Sequence, residues 1–183
     1  MLGVISSRPV AAFGPDPLPP QATALHTLNH YRALTGLPPV DENADWSHGN
    51  VLHAQYMLAT GLSGHYEDPA SPYYTAEGDA AARSSNLARL WEEATDRQFI
   101  EAWMAEPLHA IAMLRPGLQT TGFGRHANAA GLDVLRGANM SPPAQPVMYP
   151  GPGTTTHLSV PAIGQAEYCH RNCTAQLAIV PWH

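Results

Sequence analysis

Thr95-Asp96-Arg97-Gln98-Phe99-Ile100-Glu101-Ala102-Trp103-Met104-Ala105-Glu106-Pro107-Leu108-His109-Ala110-Ile111-Ala112-Met113-Leu114 is the stretch from which the fold class can be read. Thr95 and Gln98 have the spacing of a capping box, in which hydroxyl and amide satisfy the free N–H groups of a helix start. Phe99, Ile100 and Trp103 then supply an apolar helical face. Pro107 cannot continue that helix undisturbed, yet it suits the first turn of a new one, with Glu106 beside its start. His109 therefore falls in a helical first turn near a carboxylate. After Pro116-Gly117 the pattern changes, and 120–125 and 132–136 read as strands around Asn128-Ala129-Ala130-Gly131, a predicted hairpin. Helices followed by a strand pair predict the α+β class.

Upstream, Leu25, Leu28, Tyr31 and Leu34 recur at helical spacing and predict a helix that stops at Gly36. Pro38-Pro39 breaks the chain before a second helix, begun by Asn43 or Asp45. Its expected inner face is Trp46, Val51, Ala54 and Leu58, with Gly61 as the stop. Residues 64–85 are polar, aromatic and interrupted by proline, which predicts a long loop holding a short helix at 77–83. Loops of that length in compact domains are more often functional than not. Downstream, 141–153 turns to proline and glycine and reads as a linker or an extended crossing segment. The organisation expected is an irregular arm over 1–20, one domain over 21–140, and an extension over 141–183.

Composition narrows the function classes. The chain has 183 residues and a formal net charge of -6, and its nine basic residues are all arginine. That balance argues against general binding to a nucleic-acid backbone. No run approaches the roughly 20 apolar residues that span a bilayer. Residues 1–8 lack the basic and long apolar regions of a signal peptide. Cys169 and Cys173, with His170 between them, have no second cysteine pair to complete a structural metal site. A local disulfide and two plain thiols both fit that spacing.

Two histidines stand out. His65 follows Gly61-Leu62-Ser63-Gly64 at the end of the second helix, and His109 follows Glu106-Pro107-Leu108. Imidazole changes charge near neutral pH and is the commonest metal ligand, so two of them with Glu106 could form one site between helices. Each also has a structural reading: His65 as a helix-end cap, His109 as a donor to a core carbonyl, Glu106 as a first-turn acid. Asn86 reads as a buried structural amide. Tyr73 and Tyr74 are surface packing or part of a site wall. His26, His30, His48, His126 and His157 have no carboxylate at metal spacing and read as structural.

Taken in order, these segments resemble the CAP superfamily, the cysteine-rich secretory protein, antigen 5 and pathogenesis-related-1 proteins. The resemblance lies in Asn29-His30-Tyr31-Arg32 with Gly36-Leu37-Pro38-Pro39-Val40, in His53-Ala54 with Met57, in Gly64-His65, in Ser85-Asn86-Leu87, in Trp103-Met104-Ala105-Glu106 with His109, and in Thr121-Gly122-Phe123-Gly124. It covers about residues 22–137 and is nearest to the bacterial SCP-like (YkwD-like) extracellular form, which lacks the eukaryotic disulfides.

The resemblance implies an α-β-α sandwich, a central antiparallel sheet flanked by helices, and a cleft of two histidines and two acids. Carried over by position, that cleft holds His65, Ser85, Glu106 and His109, with serine where the family places one acid. Glu67, Glu77 and Asp79 in the adjoining loop are the candidates to replace it. The resemblance also implies an extracellular or cell-envelope location. Its expected partner is a small molecule, a lipid or a cell-surface component. The expected function is a non-enzymatic binding module whose cleft takes a small ligand or a divalent metal such as zinc, held by His65 and His109. The alternative is a metal-assisted hydrolase of peptides or cell-wall material, with Glu106 as the base.

Overall fold

The structure is a computed structural model, which describes residues 18–139 and 146–153 together with the backbone of 177–179. Cys169, His170, Cys173, His157 and the arm over 1–17 lie outside the described residues.

Helix α1, Ala24–Leu34, starts where the Thr23 hydroxyl accepts the His26 N–H, and it buries Leu28, Tyr31 and Leu34 as their spacing predicts. The short strand β1, Asp41–Glu42, leads into α2, Ala44–Thr60, which is capped by Asn43 and closed by Gly61. Gly61 sits at φ 73°, the left-handed conformation that glycine adopts without a Cβ clash. The buried face of α2 differs from the one predicted. Gly49, Asn50, His53, Ala54, Tyr56 and Met57 are buried, whereas Trp46, Val51 and Leu58 are half-buried. Small and polar side chains line this face because the helix lies almost against backbone.

Helix α3, Ala76–Ala82, fills the predicted place within the long loop. Strand β2, Ser85–Arg89, follows it and was not anticipated. Helix α4, Asp96–Met104, has the reciprocal Thr95–Gln98 capping box, and α5, Pro107–Met113, starts with proline at its first turn. Strands β3, Thr120–Thr121, β4, Phe123–His126, and β5, Ala129–Asp133, complete the hairpin region. The turn lies at Ala127-Asn128, one to three residues earlier than the composition of 128–131 suggests, with Ala127 at φ 46°. Ala129, Ala130 and Gly131 are strand residues.

The three-stranded antiparallel sheet has the order β2-β5-β4, and β1 pairs in parallel with β3. All five residues of β5 are buried, since this central strand is covered on both faces. Side chains alternate across a strand, and here the alternation separates two layers. Ala129 joins Ala54 and Met57 of α2, with Leu58 and Leu87 packed alongside. Ala130, Leu132 and Val134 join Leu28, Phe99, Ile100, Trp103, Met104 and Met113 from α1, α4 and α5. Helices α2 and α3 thus cover one face and α1, α4 and α5 the other, giving the α-β-α sandwich. A Cβ at Gly124 would run into the backbone of Ser47 and Val51. That position shows how closely α2 approaches the sheet.

A buried arginine locks α1 to the end of α5. The Arg32 guanidinium, fully buried, donates to the carbonyls of Pro38 (2.9 Å), Met113 (2.8 Å), Arg115 (3.1 Å) and Leu118 (3.0 Å). Burial lowers its pKa to about 10, so it stays charged at neutral pH. Asn29 clamps the following loop by exchanging two bonds with the Val40 backbone. Residues 146–153 take the crossing path rather than that of a free linker. Strand β6, Val147–Tyr149, buries Val147 and Tyr149 against the core, and Tyr149 meets Tyr31 edge to face at 5.9 Å. It pairs antiparallel with β7, Leu177–Ile179.

Candidate functional site

Of the four predicted site residues, Ser85 opens β2, His65 bonds back to Ala82 just before it, and Glu106 and His109 lie at the start of α5. His65 follows α2 in the α2–α3 layer. Its Nδ1 lies 2.9 Å from the carbonyl oxygen of Ala82, the last residue of α3. A carbonyl can only accept, so Nδ1 carries the proton and Nε2 is left with a lone pair on an exposed ring. His109 approaches from the opposite layer. Its own carbonyl accepts the Asn86 side-chain amide at 3.2 Å, which ties α5 to β2. Both histidines are thus anchored to the short segment 82–86.

Glu106 and His109 come together as predicted, with Oε2 2.9 Å from Nδ1. The approach lies outside hydrogen-bond geometry, and the buried Nδ1 has no hydrogen-bond partner. Glu106 itself is mostly exposed, so water screens the pair. Ser85 stands apart from the histidines. Adjacent residues on a strand face opposite ways, and Asn86 turns to α5 while Ser85 turns to α2. The Ser85 hydroxyl, buried, donates to Asn50 Oδ1 at 2.9 Å, and the Asn50 amide donates onward to the carbonyls of Trp46 and Gly122. Serine at this position holds helix to sheet.

Two of the three acids considered as replacements, Glu67 and Asp79, are engaged elsewhere. Glu67 is buried, with Oε1 3.0 Å from His53 Nδ1 and Oε2 accepting the Thr75 N–H at 2.8 Å. His53 Nε2 faces the Gly64 carbonyl at 3.0 Å and so must donate, leaving a single proton between Nδ1 and Glu67. The pair is therefore neutral as a unit, and it pins the backbone on both sides of His65. Asp79 accepts the Glu67 N–H and both donors of the Arg83 fork. That fork holds the Asp79 carboxyl below its usual range. Glu77 is exposed on the first turn of α3.

This donor set does not fit a three-ligand metal site. Among the described residues no three histidine, cysteine, aspartate or glutamate side chains stand where they could hold one ion. His65 therefore does not share a metal-sized site with Glu106 and His109, and the hydroxyl of Ser85 is turned elsewhere. The sequence reading missed the His53–Glu67 pair. The only signal was a histidine at a buried helix position and an acid fourteen residues on, separated by a loop. A groove of about 580 Å³ runs along α2, lined by Leu52, Gln55, Tyr73, Thr75 and His126 among others, and it includes none of the four residues.

The profile of CAP, the cysteine-rich secretory protein family, matches residues 25–135, well over half of the chain. The chain belongs to the CAP family. Among solved structures, it resembles a 1.5 Å crystal structure of an extracellular protein containing an SCP domain from Bacillus anthracis str. Ames. The TM-score is 0.52 at 16% identity, over 62% of this chain and 39% of that one. At that identity the likeness concerns the fold, and this CAP chain spans less than half the length of its neighbour. Among curated proteins none matches it. No helix among the described residues is long and apolar enough to cross a membrane.

Proposed function

We propose that this CAP domain is an extracellular or cell-envelope binding module. Its cleft, flanked by His65 and His109 at the start of β2, takes a small ligand without catalysing its conversion. The observation that carries this reading is the double anchoring at 82–86. Ala82 orients the His65 ring, and Asn86 ties the backbone of His109 to β2, so the two residues are fastened from opposite layers to one short segment. Preorganised polar groups of this kind are what a binding site needs. The family's secretory description and the extracellular neighbour support the location.

The alternative, a zinc hydrolase with Glu106 as base, needs three protein ligands and a separate base. Two imidazoles with Ser85 directed at Asn50 fall short of that set. Zinc titration by calorimetry, on the wild type and on the His65→Ala plus His109→Ala variant, tests the choice. Heats that are weak and equal in the two proteins are expected. Saturable micromolar binding that disappears in the double variant would restore the metal reading.

A further inference from the structure

A second recess lies apart from the four residues considered above. The groove of about 580 Å³ along α2 is of the size that holds a small ligand, and three elements distant in sequence build it. Leu52, Gln55 and Tyr56 come from α2, Tyr73 and Thr75 from the turn that leads into α3, and His126 from the end of β4. Its walls are held in place. Tyr56 is buried, stacks on His53 with ring centroids 5.9 Å apart, and accepts the Asp68 N–H at its hydroxyl at 3.0 Å. His53 is in turn fastened to Glu67 and to the Gly64 carbonyl. Thr75 caps α3, its hydroxyl accepting the Gly78 N–H at 3.0 Å.

The chemistry of the lining selects a ligand. No Asp, Glu, Lys or Arg side chain contributes to it, although the whole chain carries a net charge of -6. Its polar groups include the Gln55 amide, the Tyr73 and Thr75 hydroxyls and the His126 imidazole. Each of these can both give and take a hydrogen bond. Tyr73 also leaves 54% of its surface exposed, an aromatic ring open to a partner.

We propose that this groove binds a neutral carbohydrate, a short chain of pyranose rings. Sugar hydroxyls donate and accept alike, so a ligand with several of them answers polar groups spread over three elements. The C–H face of a sugar ring packs on Tyr73 and Leu52. A carboxylate, a phosphate or an ammonium group would find no opposite charge in the lining. An alkyl chain or a simple phenol would cover the Tyr73 ring, yet it would strip water from Gln55 and Thr75 without replacing the lost bonds.

The test is amide and side-chain NMR of the full chain, titrated separately with maltotriose, cellotriose and the trimer of N-acetylglucosamine, and with p-cresol and 1-hexanol for comparison. At least one trisaccharide is expected to shift Gln55, Tyr73, Thr75 and His126 together and saturably, and more tightly than p-cresol or 1-hexanol does. Tyr73→Ala, at an exposed position, should weaken that sugar about tenfold with folding unchanged. Gln55→Leu should weaken it about fivefold and leave p-cresol no weaker. Binding of p-cresol or 1-hexanol in the groove as tightly as the best trisaccharide would overturn the carbohydrate assignment. A sugar affinity unchanged in Tyr73→Ala, or no shift of these residues with any of the three trisaccharides, would overturn the site.

Discussion

Glu67→Ala is the substitution that most sharply probes how the His65 loop is held. Both partners of the His53–Glu67 pair are essentially inaccessible, with side-chain exposures of 1% and 0%. Alanine removes the acceptor of the Thr75 N–H and the partner of His53 Nδ1 together. Leaving one buried polar group unsatisfied costs about 1–3 kcal/mol, and breaking a buried pair by deleting one member costs about 3–5 kcal/mol. Two stranded groups thus put the expected loss at about 3–5 kcal/mol, which lowers the melting temperature of a chain this size by roughly 10 °C. Glu67→Gln has a different expectation. The glutamine amide can donate to His53 Nδ1 while its carbonyl accepts from Thr75, with His53 neutral and still donating to Gly64. Its loss should stay below about 1.5 kcal/mol. Urea unfolding of the two variants gives the energies, and hydrogen exchange at the Thr75 amide reports the loop. A loss under about 1 kcal/mol for Glu67→Ala, or equal losses for alanine and glutamine, would refute the argument.

Other perturbations bear on the same frame. Arg32→Met leaves four carbonyls without their donor and should cost about 3–5 kcal/mol in thermal unfolding, comparable to breaking a buried ion pair. Gly124→Ala drives a methyl group into the backbone of Ser47 and Val51, and a loss of at least about 2 kcal/mol should appear as a lower urea midpoint. The Asp79 carboxyl is held below its ordinary value of 3.8 by the Arg83 fork. Its contribution is therefore complete above that value and is lost as pH falls through the lower folded-state value. Unfolding measured from pH 5 downward should show an acid-linked decline that is smaller in Asp79→Asn.

The legible parts of the fold were those written in local chemistry. Thr95 and Gln98, Pro107, Asn43 and Gly61 mark helix ends by groups that act within one turn, and the structure places helix boundaries at each of them. Strand β2 was not legible, because Ser85–Arg89 has no clear alternation and pairs with an alanine- and glycine-rich partner of low strand propensity. Its strand state comes from tertiary pairing with β5, between two helical layers. The inner face of α2 was misread for a related reason. Close approach to the sheet selects Gly49, Asn50 and His53, whereas an apolar pattern points to Val51 and Leu58. Among the candidate residues, sequence position brought Glu106 and His109 together. The direction of Ser85 and the engagement of Glu67 depend on partners 35 and 14 residues away, which spacing alone does not reveal.

The central claim is that His65 and His109 frame one ligand site at the start of β2. Imidazole NMR of the full chain against a library of small organic fragments, with chelator present, tests it most directly. The account predicts that at least one fragment shifts both histidines saturably and that the His65→Ala plus His109→Ala variant no longer binds it. Fragments that instead collect in the groove lined by Leu52, Tyr73 and His126, leaving both histidines unmoved, would contradict it.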